Sequence, residues 1–221
     1  MPTIAQAQGW YPENDPVHGF DHVLRVLRLA EHLAQVEDAD LGIVRAAVLL
    51  HDAGQDPELN SESQNPDPTD QQAARLGHHH ASAEFAAQIL LAEGWPDERI
   101  AAVVHCIRAH RFRDDTEQPQ TLEAKILFDA DKLDAIGAIG VARAIAFAAR
   151  LGQPPYAPPS DHFKQHGETL PGEPHSAYHE YLFKLSKLEG RLFTLTARQI
   201  GAERHRFMAA FFERLAEESD L

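Results

Sequence analysis

The stretch "LGIVRAAVLLHDAG" (residues 41–54) constrains the chain more than any other. Seven of the eight residues from Ile43 to Leu50 are apolar, with Arg45 the exception. A helix that is apolar nearly all round belongs in an interior rather than on a surface. It closes on His51 and Asp52, two ionisable side chains that need partners, because buried charge is costly unless paired or metal-bound. Neutral imidazole with carboxylate suits a divalent ion. The same doublet also suits a helix emerging into solvent, with His and Asp taking the turn before Gly54. By itself it does not choose between the two.

Two further segments add ligand-type residues. Upstream, "NDPVHGFDHVLRVLRLAEHLA" predicts a helix with Asp15 as N-cap and Pro16 in the first turn. Val23, Val26, Leu27, Ala30 and Leu33 follow helical spacing. His18 and His22 stand four apart and share a face, and His22 shares it with Val26 and Leu29, toward the interior edge. The alternative is a pair of surface histidines on a first turn. Downstream, "TLEAKILFDADKLDAIGAIGVARAIAFAARLG" reads as a helix capped by Thr121. Asp131 there has Leu127, Phe128 and Ala135 as its i−4, i−3 and i+4 neighbours. A carboxylate on an apolar face requires either a metal or a basic partner, whereas Asp129 and Asp134 are expected in solvent. Gly137 and Gly140 point to close packing or a kink.

The order His22, His51-Asp52, Asp131 resembles the HD-domain superfamily of metal-dependent phosphohydrolases. It is most similar to the small bacterial branch that includes nucleotide pyrophosphohydrolases. The segments that carry the likeness are "HGFDHVLRV", "VLLHDAG", "HHHASAEFA", "VVHCIRAHRF", "AKILFDADKLDAIGAIGVAR" and the C-terminal "HEYLFKLSKLEGRLFTLTARQIGAERHRFMAAFFERL". They run through most of residues 16–216. The resemblance implies an all-α HD-domain helical bundle with a C-terminal helical pair packed on it, as one domain over 1–221. It also implies one divalent metal held by His22, His51, Asp52 and Asp131, with Mn²⁺ favoured among Mn²⁺, Mg²⁺, Fe²⁺, Co²⁺, Ni²⁺ and Zn²⁺. Two imidazoles and two carboxylates neutralise a divalent charge and leave positions for water and a phosphate oxygen.

Around that set, His18 is expected to touch a phosphate or carry a proton. Asp56 is expected to orient the attacking water or act as general acid or base. Many relatives carry a glutamate near that point, where this chain has Gln55 and Asp56. Lys132 is expected either to neutralise a phosphate or to be a surface charge. His110, Arg111 and Arg113 close a helix, where they either contact a substrate phosphate or simply answer the helix dipole. Some HD enzymes bind a second metal through additional histidines. His78, His79 and His80, or His105 in "IAAVVHCI", are the residues available for that. Otherwise the triple is a polar first turn and His105 a hydrogen-bonded core histidine.

The remaining chain bounds the function. The 221 residues suffice for one large domain with a substantial core, or for two small ones. Helical periodicity dominates, with metal-site helices expected over about 16–151 and the last two helices at about 176–192 and 195–218. Residues 55–77 read as a polar loop, and 152–175, with six prolines, as an irregular connection. A net charge of −14 without a basic stripe argues against extended nucleic acid as a partner. A small phosphorylated metabolite, a nucleotide first among them, remains compatible. The single Cys106 excludes an intrachain disulfide and reads as a buried thiol. No signal-peptide pattern and no membrane-length apolar run is present, so a cytoplasmic location is expected. The sequence leaves oligomeric state open. The expected activity is hydrolysis of a phosphate ester or anhydride. The rivals are a non-catalytic metal-containing nucleotide sensor and a helical module with a structural metal.

Overall fold

The computed structural model describes residues 1–11, 19–53, 68–111 (backbone alone up to 78) and 117–219. All regular structure among these residues is helical. The chain divides into two compact units, Met1–Asp131 and Lys132–Leu221.

The first unit is organised around one helix. Its elements are α1 (Ile4–Gln8), α2 (Phe20–Glu37), α3 (Leu41–Leu50), α4 (Pro68–Ala92), α5 (Asp97–Ala109) and most of α6 (Leu122–Asp134). Helix α3 packs against α1, α2, α4 and α5. That explains why most of it is apolar: Val44, Ala46, Ala47, Val48, Leu49 and Leu50 are all buried. By contrast α2 is amphipathic and buries Val23, Val26, Leu27, Ala30 and Leu33, the positions its spacing marked. Fully burying each of the valine and leucine side chains is worth about 1.5–3 kcal/mol.

A polar junction fixes where α3 starts. Asp40 is its N-cap and accepts hydrogen bonds from the Gly42 and Ile43 amides at 2.9 and 3.0 Å. The Arg99 guanidinium of α5 grips the same carboxylate in a bidentate pair at 2.8 and 3.0 Å. Arg99 also lies over the Trp95 ring. The Asp40 amide donates to Glu123 at the start of α6. Arg99, by hydrogen bonding first, then holds the Asp40 carboxyl below its usual range. The far end of α3, carrying His51 and Asp52, is thereby placed by contacts with two other helices.

The second unit comprises the end of α6, α7 (Gly137–Arg150), α8 (Asp161–His166), α9 (Ala177–Phe183), two 3₁₀ turns (Leu185–Lys187 and Glu189–Arg191) and α10 (Leu195–Ser219). Helix α7 packs on α10 and on α9.

Several expectations change here. The Gly137/Gly140 signal marks a full break between α6 and α7 rather than a kink. Gly137 sits at φ +75°, and a Cβ on Gly140 would stand 2.3 Å from the Ala135 carbonyl oxygen. The helix expected at 176–192 stops at Phe183, where Lys184 leaves helical geometry, and continues as the 3₁₀ turns. Residues 68–77, expected as loop, are the first turns of α4, so the histidine triple lies well inside a helix rather than on its first turn. The Pro-rich connection contains the six-residue α8, capped by Ser160. Thr121 caps α6 as expected, accepting from the Ala124 amide at 3.2 Å. The predicted start of α2 at Asp15 and Pro16 lies outside the described residues; the described helix begins at Phe20.

Candidate metal centre

His22 projects from the first turn of α2, His51 and Asp52 follow the end of α3, and Asp131 sits in the last turn of α6. The fold brings His22, His51 and Asp131 into one group, and Asp52 stands beside His51. His22 Nε2 is 3.5 Å from Asp131 Oδ1, and His51 Nε2 is 3.5 Å from Asp52 Oδ2. The His22 and His51 ring centroids are 5.7 Å apart. One donor atom each from His22, His51 and Asp131 lies within 4.8 Å of the others.

His110, the residue that ends α5, joins them. Its Nε2 is 3.4 Å from Asp52 Oδ1, and its ring lies 5.1 Å from that of His51. With His51 and Asp52 it forms a second group of the same dimension, sharing His51 with the first. Sequence reasoning grouped His110 with Arg111 and Arg113 as a phosphate contact. The missed signal was the one used for Asp131: the i−4 and i−3 neighbours, Cys106 and Ile107, are buried apolar residues. Tyr11 was also missed. It is buried, and its hydroxyl donates to the Leu49 carbonyl at 3.2 Å. Burial, then the Asp52 charge, raises its pKa well above the usual value.

The imidazoles are oriented for ligation. His51 Nδ1 is 2.7 Å from the Val48 carbonyl, and His110 Nδ1 is 2.5 Å from the Ile107 carbonyl. A carbonyl only accepts, so each Nδ1 carries the proton and each Nε2 presents a lone pair. Burial pushes the His110 pKa down, against the pull of Asp52, which favours that neutral form. His51 Nε2 is buried and makes no hydrogen bond among the described residues. A buried acceptor left unmade costs about 1–3 kcal/mol. An ion that takes ligands at about 2.1 Å holds adjacent donors about 3 Å apart. The pairs at 3.4–3.5 Å stand near that spacing, so these residues could hold a divalent metal.

The other candidates separate. Lys132 follows Asp131 on α6 and is half-buried, and Arg111 follows His110 and is half-buried. His105 uses both ring nitrogens inside the chain: Nδ1 on Glu117 at 3.2 Å, Nε2 accepting from the Gln120 amide at 3.0 Å. That leaves it no lone pair for an ion. The rings of His79 and His80 are 4.1 Å apart on α4, His80 exposed. Asp129 and Asp134 are buried, contrary to the solvated placement expected, Asp134 because Arg143 pairs with it at 2.9 Å. Cys106 is buried as expected, its thiol pKa pushed up to about 12 first by burial. His18, Asp56, His78 and Arg113 have side chains outside the described residues. No helix among the described residues is long and apolar enough to cross a membrane.

The uncharacterized protein YpgQ of Bacillus subtilis is 35% identical over 201 residues, 90% of this chain and 82% of that one. A crystal structure of YpgQ in complex with ADP matches with TM-score 0.67 and 31% identity, covering 98% of this chain and 97% of that one. An HD-superfamily hydrolase of Bacillus thuringiensis matches with TM-score 0.68 and 25% identity, over 98% and 94% of the two chains. Ribonuclease Y of Chloroflexus aurantiacus is 33% identical over 112 residues, 51% of this chain and 17% of that one. Residues 19–136, which span His22, the His51-Asp52 doublet, His110 and Asp131, match the HD domain model, and the chain belongs to the HD domain family.

Proposed function

We propose that this protein is a metal-dependent phosphohydrolase acting on a small phosphorylated metabolite, with nucleotides as the leading substrate class. The observation that carries the reading is the buried His/Asp cluster, in which His51 Nε2 has no hydrogen-bond partner among the described residues. His22, His51, Asp52 and Asp131 would hold one divalent ion, Mn²⁺ favoured, and His110 lies within reach of the same set. Such an ion supplies an acidified water and polarises a phosphoryl group.

The chain's own groups do the rest. The carbonyls of Val48 and Ile107 fix the tautomers of His51 and His110. Asp52 and Asp131 balance a divalent charge that the buried site would otherwise disfavour. Lys132 and Arg111 are the described cations next in sequence to ligand-type residues, and a phosphate dianion would be drawn to them. His18, Asp56 and Arg113 are proposed to complete the proton-transfer and phosphate contacts. The preference for a nucleotide is supported by the ADP in the YpgQ structure, and the bond cleaved is either that of a pyrophosphohydrolase or that of a phosphatase. A cytoplasmic location fits such a substrate.

The test is product analysis with metal-stripped, Mn²⁺-reloaded protein against nucleoside mono-, di- and triphosphates, with Asp52→Ala in parallel. The reading expects Mn²⁺-dependent release of orthophosphate or pyrophosphate, lost in the variant. Tight nucleotide binding without turnover across metals would replace it with a sensor. Full turnover by Asp52→Ala would remove the assigned site.

A further inference from the structure

Asp131 stands only three residues before the end of α6, in the last turn, where backbone carbonyls lack intrahelical partners. A frayed last turn would swing its carboxylate away. Two guanidinium groups close that end. Arg204 Nη1, from α10 and 71 residues further along the chain, donates to the Leu133 carbonyl at 2.6 Å. Arg143 Nη1, from α7, donates to the Asp134 carbonyl at 3.2 Å and to the buried Asp134 carboxylate at 2.9 Å. The Ala135 amide returns to the Lys132 carbonyl at 3.1 Å. The carbonyls of residues 132, 133 and 134 are therefore each engaged. Positive charge at a helix C-terminus also opposes the negative end of the helix dipole. The stem of Arg204 runs against Gly137, where a Cβ would stand 3.0 Å from its Cβ and Cγ, so the position is packed as well as hydrogen-bonded.

We propose that Arg204, with Arg143, is a positioning residue for the metal-site carboxylate of Asp131, acting through the carbonyls of Leu133 and Asp134. The inference rests on the metal-site reading above. Neither arginine touches substrate or ion in this role. They fix the turn from which one ligand projects.

The experiment is calorimetric titration of Mn²⁺ into metal-stripped full-length protein, beside thermal unfolding of the same metal-free samples. The variants are Arg204→Met, Arg204→Lys and Arg198→Met. Arg198 is the control: it lies on the same helix, and its Nε donates to the Leu192 carbonyl at 2.8 Å rather than to a carbonyl of α6. Removing an outer contact that orients a ligand typically weakens metal binding 10–100-fold. Arg204→Met is expected to weaken Mn²⁺ binding by about 10-fold. Arg204→Lys retains a cation and a donor and should fall between it and wild type. Arg198→Met should lower the melting temperature while leaving Mn²⁺ affinity within about 2-fold, well short of the effect of losing an orienting contact. Wild-type Mn²⁺ affinity in Arg204→Met overturns the inference alone. If Arg204→Met does not fold, unchanged affinity in folded Arg204→Lys overturns it in the same way. Wild-type protein that takes up no divalent ion overturns the metal-site reading and this inference with it.

Discussion

His51 in the first unit and His179 in the second are both fully buried histidines beside a carboxylate. His179 spends both ring nitrogens on its own chain: Nδ1 on the Ser176 hydroxyl at 2.8 Å and Nε2 on Glu173 at 3.3 Å. Glu173 is met in turn by the Leu170 and Ser160 amides, both at 2.7 Å, and by the Ser160 hydroxyl at 2.8 Å. Those contacts, the amides first, hold its carboxyl down to about 2. Every partner lies between residues 160 and 179, so the network closes a loop and needs nothing from outside. His51 gives Nδ1 to the Val48 carbonyl and leaves Nε2 buried, facing Asp52. Among the described residues nothing donates to that lone pair. Residue type and burial are the same in the two places. Satisfaction of the polar atoms separates a structural histidine from one shaped for a ligand.

The largest expected effect lies at the unsatisfied cluster. His51→Ala or Asp52→Ala should weaken Mn²⁺ binding by more than about 100-fold, beyond what loss of an outer contact does, and abolish turnover. His179→Ala should leave Mn²⁺ affinity unchanged while costing about 1–3 kcal/mol of unfolding free energy, because its partners stay buried. Denaturant melts and metal titrations of the two sets should therefore move in opposite columns. A His179 variant that loses metal would end the distinction.

His110 tests where the cluster ends. If its Nε2 is a ligand or orients Asp52, His110→Ala should weaken Mn²⁺ binding about 10–100-fold. An effect on the substrate KM with no change in metal affinity would return it to the phosphate-contact role that the sequence suggested.

At the start of α3, Asp40→Ala removes an N-cap and the Arg99 pair and should cost about 0.5–2 kcal/mol in stability. Metal affinity measured well below the melting point should change little.

The smallest effect is a pH dependence in the satisfied network. The Glu173 carboxyl is lowered from 4.5 to about 2, so its contribution is complete above 4.5 and is lost as pH falls toward 2. Burial first also lowers the His179 pKa, so charging it on acidification disfavours the fold in the same direction, starting below the ordinary histidine value of 6.5. The urea midpoint of wild type should fall more steeply between pH 5 and pH 2.5 than that of Glu173→Gln, by linkage. Parallel curves would remove the carboxylate from the explanation.

Much of the first unit was legible in the sequence for local reasons. A run apolar on all sides predicts a helix surrounded by others, and α3 is that helix. Asp131 was singled out because its helical neighbours are apolar, and Thr121 was legible as a cap because capping is a local interaction. What escaped depends on distant partners. Asp134 looked solvated because its compensating Arg143 lies beyond a helix break at Gly137 that the helical pattern concealed. His110 was masked by the basic residues beside it, which offered a dipole explanation. The start of α4 at Pro68 was hidden by the polar residues that follow. The end of α9 was hidden by "LFKLSKLEGRLF", whose apolar spacing remains helical through two 3₁₀ turns.

Anomalous scattering from a Mn²⁺-loaded crystal tests the metal-centre assignment most directly. The expected result is one peak within bonding distance of His51 Nε2, with His22 and carboxylate oxygens of Asp52 and Asp131 around it. No peak at this cluster under saturating Mn²⁺, or a peak held by other side chains, would contradict it.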